Sequence, residues 1–442
     1  MRFLLVQPPI RDFYRTEFRE YPLGLLYIAA VLKQNGHTAV ILDARKCQKP
    51  KSHPVPEELR DLEKYYTKEN RLFSGYKHFG MGPDEIKEAA KKTRPDHIFI
   101  SSMFTPYLNE VIETAKTLRE ALPGIPITAG GHHATADPDS LLASHAIDNV
   151  FLGEGEEFFS GKNGVCRVGD LDTLPFPARE LLPPDHSHYF KRRYTMILTS
   201  RGCPHRCSFC SVHHLSGHQH RRHSLERVTA EIEECLRRFG FRVIDFQDDN
   251  LLMGGDRFKT ILEEIIRRHD TSEIEFLASN GLNASSMDKE LLQLMKRAGF
   301  KKLDLALATS DVPYRKKLYR PETIGQYEEI LEDAVKLGFH VTTYIILGLP
   351  TQPLEEMKTS VEYLKLKPTL ISPSIFYNVP GMPIFDEMKK YEYPSSHPAR
   401  RSSAFNNFGE DFTRDDLFML FKEILQFNRA RRVGHFFSGD LT

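Results

Sequence analysis

Apolar positions in the first 160 residues fall into short β-rich runs separated by stretches with helical spacing. Arg2–Val6 reads as a strand, Leu23–Asn35 as an apolar helix stopped by Gly36, and Thr38–Leu42 as a second strand ending at Asp43. The alternation resumes with strands over His97–Ser101, Pro126–Ala129 and Asn149–Leu152 and helices over Leu108–Ala121 and near Pro138–Ser144. Five parallel strands with crossover helices predict a doubly wound, Rossmann-like α/β domain over 1–160. Residues 46–83, rich in Lys, Glu, Pro and Tyr, interrupt the rhythm and read as an insertion of one or two exposed helices.

The connector 161–192 carries Leu174-Pro175-Phe176-Pro177 and Leu182-Pro183-Pro184, a proline density that marks an inter-domain linker. A second β/α series follows, with strands expected at Tyr194–Thr199, Val243–Phe246, Ile274–Ala278, Lys302–Ala306, Val341–Leu347 and Leu370–Phe376. Six such repeats predict a partial (β/α)6 barrel over 193–378, with its chemistry at the C-terminal strand ends. The tail 379–442 is expected to be α-rich, with a helix over Arg414–Arg432.

With 40% hydrophobic and 27% charged residues the chain reads as soluble and globular rather than disordered. Sixty basic residues balance sixty acidic ones, so no global field favours nucleic acid. The longest apolar run, Leu23–Leu32, spans ten residues, against the roughly 18–20 that cross a bilayer. Pro8-Pro9 follows Met1–Val6 too early for a secretory signal, so the expected location is cytoplasmic, without a membrane partner.

Of six cysteines, Cys47, Cys166 and Cys235 are scattered, while Cys203, Cys207 and Cys210 fall within eight residues directly after the first barrel strand. In a chain without an export signal, clustered thiols read as metal ligands. Three thiolates on one loop can each hold one iron of a cubane cluster, leaving the fourth iron open to a small molecule. Gly202 and Pro204 suit a close wrap round sulfide, and Arg201 and Arg206 are positioned to offset the cluster's negative charge. The plainer readings are three buried thiols, or a zinc site completed by His205, His213 or His214.

Cys203, Cys207 and Cys210, with Phe209 before the last thiol, resemble the signature of radical S-adenosylmethionine (radical SAM) enzymes. The resemblance implies a 4Fe-4S cluster whose open iron chelates S-adenosylmethionine, reductive cleavage to a 5′-deoxyadenosyl radical, and an electron donor such as flavodoxin or ferredoxin. By the same resemblance Phe209 lies against the adenine. Asp248 and Asp249, ending the second strand, reach the methionine amine; the competing reading is a turn and helix cap. Ser279 closes the third strand, and Gly348, a position permitting close approach to a ligand, closes the fifth. Ala306–Ser310 replaces the family's usual ribose-contacting segment, and Asn378–Pro383 resembles the segment after its sixth strand. Six histidines from His205 to His223 show no regular ligand spacing and read as a polar loop entering a helix capped by Ser224.

A doubly wound domain before such a barrel resembles the cobalamin-binding subfamily. Ser101-Ser102-Met103 and, 26 residues later, Gly130-Gly131 look like the elements that receive the cobalamin nucleotide tail, implying Ser101, Met103, Gly130 and Gly131 as contacts. Gly153-Glu154-Gly155-Glu156 also recurs there. The second strand ends Asp43-Ala44-Arg45, with no histidine to ligate cobalt. The resemblance implies a cobalamin-dependent methyltransferase acting on a small molecule or peptide at an unreactive carbon or at phosphorus. The alternatives are a cobalamin-independent cyclase or rearrangement enzyme and a non-catalytic binding module. In the tail, Arg400, Arg401, Arg429, Arg431 and Arg432 read as anion contacts or a solvated face, and the phenylalanines from Phe405 to Phe437 as core packing or a lid.

Overall fold

The computed structural model describes residues 1–13, 21–46, 49–65, 75–320, 323–384 and 401–436, with backbone alone beyond Arg431. Cys47, Arg400 and Phe437 lie outside the described residues, as do the side chains of Arg432 and Phe436. Strands β1 (Arg2–Gln7), β2 (Thr38–Asp43), β3 (His97–Ser101), β4 (Ile127–Gly130) and β5 (Asn149–Phe151) form one sheet in the order β2-β1-β3-β4-β5. Every pairing is parallel. Leu4, Leu5, Val6, Ile98 and Ile100 are buried because crossover helices cover both faces. The order reverses between β1 and β3, so the ligand-binding edge expected of this topology is where Gln7 and Ser101 end their strands.

The described residues of 46–83 differ from the exposed helices expected there. Lys51–Ser52 and Lys77–Phe79 join Ile10–Asp12 in a small antiparallel sheet, and Glu57–Tyr65 winds as a 3-10 helix. Its apolar residues Leu59, Leu62 and Tyr65 recur every third position, the period of that helix, so one edge is buried against the barrel and tail. Tyr65 stacks on Phe418 with ring centroids 3.7 Å apart.

The second domain contains β6 (Arg192–Ile197), β7 (Val243–Phe246), β8 (Glu275–Leu277), β9 (Lys302–Ala308), β10 (His340–Leu347) and β11 (Leu370–Ile375). They pair in two parallel groups, β6-β7-β8 and β9-β10-β11. Leu282 joins the groups: its N–H donates to the Asp304 carbonyl at 2.7 Å and its carbonyl accepts from Ala306 at 2.9 Å. The result is the open arc of a partial barrel. Ser224 caps the helix Leu225–Arg237 by accepting from Arg227 N–H at 3.2 Å, as the histidine-rich stretch was expected to end.

The proline-dense connector is packed rather than free. Arg179 is buried, donating to Thr195 Oγ1 (3.1 Å), the Met196 carbonyl (2.8 Å) and Glu231 Oε1 (2.7 Å). The tail helix Arg414–Phe436 packs on the barrel, with Phe405, Phe408, Phe412 and Phe418 buried. Two tail arginines are committed to structure: Arg431 donates to the Thr369 carbonyl at 2.7 Å, and buried Arg401 donates to the Arg11 and Pro106 carbonyls at 2.5 and 3.1 Å. No helix among the described residues is long and apolar enough to cross a membrane.

Candidate active site

β6 ends in the loop that carries Cys203, Cys207 and Cys210, all free thiols; Cys207 is buried and the other two half-buried. Gly202 enters this loop at φ +85°, and a Cβ there would lie 2.2 Å from the Gln219 carbonyl oxygen, so only glycine fits. A short ladder, Ser200–Arg201 with Arg221–Arg222, closes the loop on itself.

The end of β7 supports the loop from below. Buried Asp248 accepts from Thr199 N–H (3.1 Å), Thr199 O–H (2.7 Å) and Ser200 O–H (2.5 Å). Asp249 accepts from Gly202 N–H at 2.7 Å. Loss of solvent pushes both carboxyls above their ordinary value, while these hydrogen bonds pull the other way. Asn250, which the sequence reading passed over, donates its amide N–H to Cys203 Sγ at 3.6 Å. It sits among ordinary turn residues, and only the fold brings it under the thiol.

The thiols fit an iron–sulfur cluster. Burial, with Cys207 and Cys203 as like-charged neighbours, pushes the Cys210 thiol up to about 12, so a cation is needed to hold it as thiolate. Three thiols on one short loop suit a cubane, which gives each thiol its own iron. Arg201 does not offset cluster charge as expected. Its guanidinium donates to Glu156 Oε1 at 2.7 Å, lies 3.5 Å from Glu154 Oε2 and covers the Tyr27 ring. Arg221 completes this buried network with bonds of 2.6 and 2.9 Å to Glu154. Burial opposes it, yet Arg221 and Arg201 hold the Glu154 carboxyl below its ordinary value. Arg206 is exposed.

The other expected S-adenosylmethionine positions lie along the same C-terminal rim. Ser279 donates to Asp245 at 2.6 Å and accepts from Gln247 at 2.9 Å. Phe209, Ile346 and Ala136, from the thiol loop, β10 and the first domain, each pack against the same apolar cluster. Gly348 adopts φ +82°, and the close approach this permits is to Leu417, 3.1 Å from its Cβ position, and to Phe412 of the tail.

In the first domain the two expected cobalamin elements meet. Ser102 N–H donates to the Gly130 carbonyl at 2.7 Å. Gly131 adopts φ +117°, where a Cβ would press on the Ser102 carbonyl at 2.9 Å and Met103 Sδ at 3.0 Å. Met103 is 39% exposed, Ser101 is half-buried, and the fully buried Ser102 Oγ has no hydrogen-bond partner. Glycines, an exposed thioether and an unpartnered hydroxyl at this edge fit a bulky planar ligand. At the end of β2, Asp43 receives His186 from the connector: Nε2 lies 2.8 Å from Asp43 Oδ2 and Nδ1 2.7 Å from Ser187 Oγ. Both nitrogens of that imidazole are thus engaged within the protein. His132, two residues past Gly130, donates Nε2–H to the Ser211 carbonyl at 2.8 Å, bringing this edge against the residue after Cys210.

A doubly wound sheet facing the thiol-bearing end of a partial barrel defines a two-domain radical SAM enzyme. Residues 197–364 match the radical SAM superfamily model and residues 76–161 the B12-binding domain model. The chain is 26% identical over 407 residues to cytidylyl-2-hydroxyethylphosphonate methyltransferase of Streptomyces wedmorensis, covering 78% of this chain and 73% of that one. It is 25% identical to hopanoid C-3 methylase of Methylococcus capsulatus, covering 86% and 71%. Its fold superposes on the radical S-adenosylmethionine methyltransferase TsrM from Kitasatospora setae, solved with cobalamin and a [4Fe-4S] cluster, with a TM-score of 0.67 at 15% identity over 95% and 90% of the chains. The chain thus carries a radical SAM domain over residues 197–364 and a B12-binding domain over residues 76–161.

Proposed function

We propose that the protein is a cobalamin-dependent radical SAM methyltransferase acting on a small molecule. The observation that carries this reading is the contact of His132 with Ser211, which brings the cobalamin-type edge of one domain onto the thiol loop of the other. When bound, the 4Fe-4S cluster supplies the electron that cleaves S-adenosylmethionine, and cobalamin supplies the methyl carrier. Cys203, Cys207 and Cys210 would hold the cluster; Ser101, Met103, Gly130 and Gly131 would receive cobalamin. Phe209, Ser279 and the Asp248-Asp249 turn are our assignments for the S-adenosylmethionine rim, with Gly348 able to contribute only through its backbone, since its Cβ position faces Leu417 of the tail.

The chain's own residues shape and dry this space. Asp249 pins Gly202 and Asn250 pins Cys203, so the loop is held before any ligand arrives. Phe209, Ile346 and Ala136 all pack against one apolar cluster, which would help keep water from the space beside the thiol loop. Both nitrogens of His186 are engaged by Asp43 and Ser187, so that imidazole would not serve as a ligand to bound cobalamin. Two relatives named methyltransferase or methylase support methyl transfer, and clustered free thiols suit the reducing cytoplasm.

The test is anaerobic reconstitution with iron, sulfide and hydroxocobalamin, desalting, and metal analysis. Near-equal cobalt and cluster, with S-adenosylhomocysteine and 5′-deoxyadenosine both formed on turnover, is the expected result. Cluster retained without cobalt would replace methyl transfer by a cobalamin-independent radical reaction.

A further inference from the structure

The thiol loop comes within one residue of the surface at Tyr319. Cys207 Sγ lies 3.8 Å from the Tyr319 carbonyl oxygen, and Ser208 N–H donates to the Leu318 carbonyl at 3.2 Å. The turn Leu318–Tyr319 is therefore the outer wall of the cluster loop. Tyr319 adopts φ +55°, a left-handed conformation that side chains rarely take, and the residue is 68% exposed. A large exposed aromatic, held at some backbone cost on the residue whose carbonyl meets a ligand thiol, is the kind of anchor that interfaces use.

Positive charge surrounds it. The helix Val312–Lys317 runs into this turn and exposes Lys316 and Lys317, and Arg206, exposed on the loop itself, immediately precedes Cys207. Lys317 bonds Thr351 Oγ1, and none of the three cations has a carboxylate partner among the described residues. Asp311, the acidic residue starting this helix, is occupied in capping Tyr314 N–H at 2.7 Å. Elsewhere cations are answered: Lys259 by Asp288 and Glu290, Lys365 by Glu362 and Glu423. In a chain of zero net charge this is a local field rather than a general one.

We propose that Arg206, Lys316, Lys317 and Tyr319 form the docking face of an acidic electron-donor protein of the flavodoxin class. The proposal rests on the functional reading above, which requires an electron at this cluster. One electron leaves the donor's reduced flavin and enters the iron–sulfur cluster through the wall formed by Tyr319 and Cys207; no bond is made or broken. Complementary charge speeds the encounter and orients the donor, and salt weakens it.

The test compares wild type, the double variant Lys316→Glu/Lys317→Glu, and Lys91→Glu/Lys92→Glu, which makes the same charge change on the far edge of the first domain. Affinity for purified oxidised flavodoxin is titrated from low to physiological salt, with the full chain before and after reconstitution. Cluster reduction by reduced flavodoxin is then followed against reduction by dithionite, which needs no docking. The expected result is at least a tenfold weaker affinity and a comparably slower flavodoxin-driven reduction for Lys316→Glu/Lys317→Glu, a flattened salt dependence, and an unchanged dithionite rate. Losses equal to those of Lys91→Glu/Lys92→Glu, or none, would overturn the proposal. A chain that assembled no cluster would overturn the functional reading, while the affinities measured before reconstitution would still decide the docking face.

Discussion

Asn250 donates to Cys203 Sγ at 3.6 Å across 47 positions of sequence. A hydrogen bond to a ligating sulfur stabilises the more negative, reduced state of an iron–sulfur cluster. Asn250→Leu is therefore expected to assemble the cluster but shift its reduction potential to more negative values, read by an anaerobic redox titration; an unmoved potential would remove Asn250 from this role. Gly202 carries the complementary, steric requirement. Gly202→Ala places a Cβ against the Gln219 carbonyl at a φ of +85°, at a cost of at least about 1 kcal/mol. Iron retained per chain should fall well below wild type, whereas equal loading would show that the loop relaxes freely. The three cysteines and Gly202 were legible from local spacing alone. Asn250 was not, because nothing in its own neighbourhood distinguishes an amide that reaches a thiol from one that turns a loop.

At the scale of elements, the histidine-rich stretch is a folded structural segment with an acid liability. Buried His223 donates Nδ1–H to Asp172 at 3.1 Å, while burial first and Arg227 next push its imidazole down to about 4. His220 is likewise lowered to about 4, by burial and then Arg222. A depressed folded-state value means the stability is fully present above the ordinary value near 6.5 and is lost as pH falls toward 4, because the unfolded chain takes up the proton first. The melting temperature should drop across that window, and His223→Gln should make the drop shallower; an identical slope would refute the assignment. Arg401 behaves as a clamp. Arg401 lies 3.5 Å from Asp12 and between the rings of Tyr76 and Tyr107. Arg401→Leu strands a buried carboxylate, so chemical denaturation should report a loss of about 3–5 kcal/mol; a loss below about 1 kcal/mol would mean that the carboxylate finds other partners.

At the scale of the whole molecule, the two domains are coupled through charge taken out of water. Glu154 answers Arg221 and approaches Arg201, which leads directly into Gly202 and Cys203. Glu154→Gln leaves Arg221 buried without a carboxylate, at about 3–5 kcal/mol. It should also loosen the first domain over the thiol loop, lowering retained cobalt more than retained iron after reconstitution; parallel losses would point to global unfolding instead. The local patterns of the chain determined the eleven main strands and the three-thiol loop, because side-chain period and ligand spacing are properties of neighbours in sequence. They also marked the two segments, Ser101–Met103 and Gly130–Gly131, that meet at one sheet edge. Only the tertiary structure decided which partners those elements acquire. Arg201 turns to Glu156 rather than to the cluster, Gly348 faces Leu417, the insertion packs on the tail, and Arg401 reaches Arg11 across 390 positions. Such pairings depend on strand order and on which buried charge must be neutralised, and both are set only when the chain has closed on itself.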